Sequence, residues 1–322
     1  MGWAEVLRAN LLSPFVLAFV LGGGARLVRS DLSLPKDLYT GLSIYLLLAL
    51  GLKGGVELAD ARLSAVAVPA VATLVLGAVT PITAFLLFRY AGRFSPADSA
   101  GLAAHYGSVS AVTFIAAQAF VASLGGAAEP FMATLLALLE SPGIAVGLGI
   151  GLVVTGHRER PLGEVVREVL TGRTMVLLVG GLLIGWLVGR SGYDPIAPFY
   201  DGLFKGALVL FLLEMGLLAA ERLGDLRRVG LRLAFFAVLI PVLHGALGVW
   251  LAGVAGLSPA GATVLGAMAA SASYIAAPPA VRMTLPEANP TYYLTASLAV
   301  TFPFNLVAGI PLYYWFAVQL AG

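Results

Sequence analysis

Apolar runs of about 18–28 residues recur along the whole chain, each ended by charged residues or a Pro, Gly or Asp turn. That is the length a helix needs to cross the hydrocarbon core of a bilayer. The runs lie near residues 11–29, 38–59, 64–90, 98–122, 130–154, 172–190, 198–221, 230–253, 259–283 and 290–320. The pattern predicts an all-α polytopic membrane protein with ten transmembrane helices. The first run lacks an Ala-x-Ala cleavage site, and Gly22-Gly23-Gly24 reads as a packed helix end, so it is taken as a span and not a signal peptide. The longest polar stretch, Thr155–Arg173, holds His157, Arg158, Glu159, Arg160, Glu164, Arg167 and Glu168. It separates residues 1–154 from 174–322, with 155–173 as a linker and five spans on either side.

The two halves resemble each other. Leu38-Tyr39-Thr40-Gly41-Leu42 matches Phe199-Tyr200-Asp201-Gly202-Leu203, and Leu52, Gly55 and Ala59 match Leu213, Gly216 and Ala220. Pro81 meets Pro241, Ser95-Pro96-Ala97 meets Ser258-Pro259-Ala260, Ser108 and Ser110 meet Ser271 and Ser273, and Pro142 meets Pro303. The offset stays within 160–163 residues throughout. An odd number of spans per repeat sends the second half into the membrane in the opposite sense. Two inverted five-helix repeats are therefore expected, the plan of many secondary transporters.

Composition narrows the function. Of 322 residues, 59% are hydrophobic and 11% charged, against about a quarter charged in soluble domains. A net charge of +2 without a Lys/Arg run gives no reason to expect a nucleic-acid partner. With no cysteine, disulfides, thiolate metal sites and a Cys nucleophile are excluded. There is no Walker-A, Gly-x-Ser-x-Gly or His-Glu-x-x-His sequence and no nucleophile–base pair, so an enzyme is not expected. A receptor or assembly protein would need a signalling or ligand-binding domain, and the short loops leave no room for one. Fourteen of the nineteen Lys and Arg fall in the loops on one face of the ten-span arrangement. The positive-inside rule makes that face cytoplasmic and puts both termini outside.

Two polar stretches stand out within apolar spans. His105-Tyr106-Gly107-Ser108-Val109-Ser110 lies in span 4, and Ala269-Ala270-Ser271-Ala272-Ser273-Tyr274 lies at the matching place in span 9. Both are poor in helix formers, and the second precedes Pro278-Pro279. Paired prolines cannot continue a helix, but a proline fits the first turn of a new one. Both spans are expected to break and restart, their new N-termini approaching from opposite sides. Free N–H groups at such ends favour an anion, and irregular backbone at membrane depth must line a cavity. Gly107, Ser108, Val109, Ser110, Thr113, Ser271, Ala272 and Ser273 are the candidate anion site, the hydroxyls donating to its oxygens.

Spans 5 and 10 supply the cation side. Glu140-Ser141-Pro142 and Thr301-Phe302-Pro303-Phe304-Asn305 are equivalent, and each proline frees a carbonyl, of Leu138 and Ala299 respectively. With Glu140, Ser141, Thr301 and Asn305 they offer the oxygens that suit sodium, and an acid within a span commonly marks an ion path. Lys53, Glu57 and Glu214 are read as interface or locally paired charges. His105 fits a proton relay or a packed neutral histidine equally well, while His157 and His244 receive no role. Gly143/Gly147/Gly151 and Gly181/Gly185/Gly189 are read as helix-packing faces.

Several further stretches carry a family resemblance. They are Asn10–Pro14, Leu27–Leu32, Gly51–Leu58, His105–Phe114, Glu140–Pro142, Ala270–Ala276, Pro286–Pro290 and Ala299–Asn305. Together they resemble the sodium-dependent bicarbonate transporter family (the SbtA type) over nearly the whole chain. The resemblance implies a gate domain of helices 1, 2, 6 and 7 and a core domain of helices 3–5 and 8–10. It also implies a homotrimer in a bacterial cytoplasmic membrane, sodium-coupled bicarbonate uptake, and a core that moves as an elevator. Bicarbonate would rest between the two serine stretches, with Na+ beside it. The alternative keeps the architecture and changes the cargo to another small carboxylate or organic anion. Family members controlled by a PII-like protein have a longer central cytoplasmic region than the 19 residues of Thr155–Arg173, which speaks against such regulation here.

Overall fold

The computed structural model describes residues 3–156 and 162–321. Among the described residues there is no strand. Seven helices are long and apolar enough to cross a membrane, and a bent pair is an eighth candidate.

That pair is α1 (Trp3–Leu11) and α2 (Pro14–Leu27), which meet at 58°. The bend follows from Ser13-Pro14: Ser13 accepts from the Val16 N–H at 3.3 Å, and Pro14 fills the first turn where its missing N–H costs nothing. Next come α3 (Lys36–Asp60) and α4 (Leu63–Leu86). α5 (Pro96–Gly107) and α6 (Ala111–Ser123) divide one span between them. α7 (Met132–Thr155) is followed by α8 (Leu162–Thr171), a short helix inside the stretch expected to be a plain linker. His157, Arg158, Glu159 and Arg160 lie outside the described residues.

After α9 (Arg173–Tyr193), α10 runs from Phe204 to Val254, 51 residues. At 1.5 Å per residue it is roughly 75 Å long, over twice a hydrocarbon core. It turns at Gly230, whose φ of 82° and ψ of 160° are not helical. Expected spans 7 and 8 are thus joined end to end. Span 9 is divided into α11 (Pro259–Ala269) and α12 (Ala277–Thr284). The last span, α13 (Pro290–Ala321), contains π-helical segments Thr295–Thr301 and Asn305–Gly309 on either side of Pro303. A proline without its N–H is one reason for such widening.

Glycines set how closely the helices pack. α3 lies on α9, where a methyl at Gly55 would run into the Leu182 carbonyl and one at Gly185 into the Leu52 carbonyl. α2 lies on the first half of α10 in the same manner: Gly22 abuts the Leu213 carbonyl and Gly216 the Phe19 carbonyl. Gly22 and Gly185 are 163 residues apart, and Gly55 and Gly216 are 161 apart, the same offsets as the sequence matches. Gly143 and Gly147 of α7 face the Gly107 carbonyl and the Ala104 backbone of α5, as expected of a packing face. Gly189 departs from expectation. No atom stands within 4 Å of its Cβ position, and its φ of 58° makes it a kink in α9 instead of a contact.

Candidate functional site

Each expected break is a capped restart. α5 ends at Gly107, and Ser110 begins α6 by accepting the Thr113 N–H on its Oγ at 3.3 Å. Gly107 is required at that end: a methyl there would lie 2.6 Å from the Pro81 ring and 2.8 Å from the Gly143 carbonyl. On the other side α11 ends at Ala269, and the Oγ of Ser273 accepts the N–H groups of Ala276 and Ala277 at 3.3 and 3.2 Å. Pro278 and Pro279 then fall in the first turn of α12. Serine is the residue that lets a helix begin at membrane depth, because its side chain replaces an acceptor that water supplies elsewhere.

The two breaks are tied directly. The Ser110 N–H donates to Ser271 Oγ at 2.8 Å, and the Ser273 N–H donates to the His105 carbonyl at 2.8 Å. Ser271 Oγ donates in turn to the Met268 carbonyl at 2.7 Å, and Ser110 Oγ to the Tyr274 hydroxyl at 3.4 Å. Ser108 and Thr113 are buried, and among the described residues neither hydroxyl has a partner. Val109 and Ala272 are buried beside them.

A cavity of about 30 Å3 lies against these breaks. Its walls include Val109, Ser110, Ala111, Val112 and Ile115 from the first break and Ser273 through Ala276 from the second. Ser43, Leu46 and Leu47 of α3, Glu140 of α7, Thr174 of α9 and Phe211 of α10 complete it. A water needs roughly 10–15 Å3 on this measure, so the space suits a solute of a few heavy atoms. The first amides of α6 have no acceptor within their own helix, and Ala111 and Val112 stand in the wall. Partial positive charge at the α6 amides therefore meets a mostly apolar wall that also carries the hydroxyls of Ser43, Ser110, Thr174 and Ser273 and the carboxyl group of Glu140.

The expected cation residues are not gathered in one place. Glu140 is 2% exposed, lines the cavity, and has no partner for its Oε2 among the described residues. Ser141, next in the helix, faces a separate apolar groove with Thr134, Leu138 and Trp186. Thr301 Oγ1 donates to the Ala237 carbonyl at 2.6 Å and shares a 2.6 Å hydrogen bond with the Tyr106 hydroxyl. Asn305 donates from Nδ2 to the Ala270 carbonyl at 2.9 Å, and its Oδ1 accepts from the Tyr313 hydroxyl at 2.8 Å. Asn305 thus supports the break in span 9, and Thr301 ties the last span to α10 and α5.

Among the remaining polar residues, Lys53 pairs with Asp201 at 3.5 Å near the surface. His105 stacks on Tyr293 at 4.3 Å between centroids and bonds the Gly101 carbonyl at 2.7 Å through Nδ1. That is the packed histidine of the two readings. His244 bonds Thr83 at 2.8 Å. Sequence reasoning missed Ser43, Thr174, Phe211 and Tyr274 as lining residues. Tyr274 carried a signal, as the end of the second stretch, whereas Ser43 and Thr174 are single polar residues whose neighbours across the cavity are distant in sequence.

No curated protein matches the chain significantly. A family model does, covering residues 14–318: the chain belongs to the Na+-dependent bicarbonate transporter superfamily.

Proposed function

We propose that this protein is a sodium-coupled bicarbonate symporter, a secondary active carrier that takes the anion up with Na+. The observation that carries the reading is the meeting of two capped half-helices, α6 and the start of α12, over a cavity sized for a few heavy atoms. Bicarbonate would accept from the α6 amides and from the hydroxyls of Ser110 and Ser273, which line the cavity, and from Ser108 and Thr113, which are buried outside its lining, if the wall moves, while Ser271 holds the two breaks together. Gly107, Val109 and Ala272 keep the backbone close and the wall narrow. Na+ would be bound through Glu140, with Ser141 joining if it turns from its own groove, and Thr301 and Asn305 if their internal hydrogen bonds open.

Ten crossings in two inverted repeats account for the helices once α1/α2, α5/α6 and α11/α12 each count as one span, α10 counts as two and the short α8 as none. The matched glycine contacts of α2 with α10 and of α3 with α9 support the repeat. The same two contacts support a gate built from spans 1, 2, 6 and 7, with the broken spans in a separate core that moves as an elevator. We further place the protein in a bacterial cytoplasmic membrane as a homotrimer with both termini outside, on the family and the distribution of Lys and Arg.

The decisive measurement is uptake of labelled bicarbonate into proteoliposomes under an inward Na+ gradient, with choline replacing Na+ as control. Uptake only with Na+ is expected. Equal uptake in choline defeats the coupling, and none in either defeats the substrate. A second reading, another small carboxylate as cargo, is favoured by the apolar wall of Leu46, Leu47 and Phe211. Competition by formate and acetate distinguishes it.

A further inference from the structure

A second cavity, of about 180 Å3, continues from the first: Glu140, Thr174, Ile275 and Ala276 line both. Its wall includes the first turn of α9, Gly172 through Met175. Gly172 has no side chain to cap that helix, so its leading amides depend on something else for acceptors. Arg173, in the same turn, is exposed and makes no ion pair among the described residues. The same wall holds Glu140, 2% exposed, whose Oε2 has no partner among the described residues.

A guanidinium and helix amides in this wall call for oxygens bearing negative charge, and the carboxylate oxygen of Glu140 beside them calls for a donor. A small oxyanion that also carries a hydroxyl group answers both; one without a hydroxyl leaves two oxygens of like charge facing each other. We propose that this cavity is a second binding site for such a hydrogen-bearing oxyanion, between the central cavity and the face bearing α8 and Arg173. Arg173 and the α9 amides hold its charge, and Glu140 accepts from its hydroxyl. The assignment rests on the transport reading above and adds to it a site, a selecting residue and a chemical reason to prefer bicarbonate over nitrate.

The test is bicarbonate flux in proteoliposomes of known orientation, started from either face, for wild type, Arg173→Gln and Arg173→Lys. Losing the charged donor is expected to raise half-saturation about tenfold on the Arg173 face, with less than a twofold change from the other face. Arg173→Lys, which keeps the charge without the planar fork, is expected to lie between. Nitrate should compete at that face at least about tenfold more weakly than bicarbonate, since it has no hydroxyl for Glu140. Arg173→Gln shifting both faces equally or neither, or nitrate matching bicarbonate, overturns the second site while leaving the central one standing. Wild type inert to bicarbonate from both faces instead removes the reading on which it rests.

Discussion

The main-chain N–H of Ser110 donates to the side-chain oxygen of Ser271 at 2.8 Å, so the break in one span is held by the break in the other. In the sequence repeat Ser110 matches Ser273 and Ser108 matches Ser271. The counterpart of this bond would run from the Ser273 N–H to Ser108 Oγ. It ends on the His105 carbonyl instead, and Ser108 Oγ has no partner among the described residues. One serine of the matched pair is a fastener, and the other is buried with a hydroxyl that has no partner among the described residues.

The two should therefore respond differently to loss of the hydroxyl. Ser271→Ala leaves a buried N–H without an acceptor and is expected to destabilise by about 1–3 kcal/mol. Ser108→Ala should leave stability within about 0.5 kcal/mol and raise half-saturation for bicarbonate. Thermal unfolding in detergent beside proteoliposome flux reads both effects, and equal melting shifts for the two variants would contradict the division.

Gly143 tests the contact behind the first break. A methyl there would run into the Gly107 carbonyl, main chain that cannot yield without moving α5. Gly143→Ala is expected to cost about 1–3 kcal/mol as overpacking and to reduce uptake by displacing Ser108–Ser110. Gly206→Ala, where no atom lies within 4 Å of the Cβ position, is the control and should melt like wild type.

Cation residues can be sorted by whether stability moves with sodium dependence. Glu140→Gln is expected to raise half-saturation for Na+ about tenfold or more, and to weaken bicarbonate on the Arg173 face with it, without lowering the melting temperature, since Oε2 has no partner among the described residues. Asn305→Ala removes the donor to the Ala270 carbonyl and the acceptor for Tyr313, so it should destabilise with or without Na+. A melting temperature unchanged in Asn305→Ala would show that these bonds do not support the break.

Topology can be mapped cleanly because the chain has no cysteine. Arg167→Cys on α8 should react with an impermeant thiol reagent only from the cytoplasm, and Lys205→Cys only from outside. The reverse result would invert the orientation.

The exposed Lys53–Asp201 pair should matter little. Its side chains are 54% and 43% exposed, and such pairs contribute about 0–1 kcal/mol. Asp201→Asn is expected to leave both melting temperature and flux close to wild type.

Much of this protein is determined by the order of its residues alone. Apolar length marks the membrane helices, because a bilayer demands about 20 apolar residues per crossing. Serine, glycine and proline mark the breaks at Ser108–Ser110 and Ala270–Ala276, because those residues alter the local backbone wherever they stand. Local rules of this kind act over a few positions and can be read without coordinates. The identity of the fastener could not be, because Ser110 meets Ser271 only when two half-helices cross, and a repeat treats both members of a pair alike. Tertiary packing likewise engaged Thr301 and Asn305 in internal hydrogen bonds, left Glu140 Oε2 without a partner among the described residues, turned Gly189 from contact to kink, and brought Ser43 and Thr174 to the cavity. Each depends on which surfaces face each other across distant helices, and that is decided by the summed packing of many side chains, not by the spacing of a few.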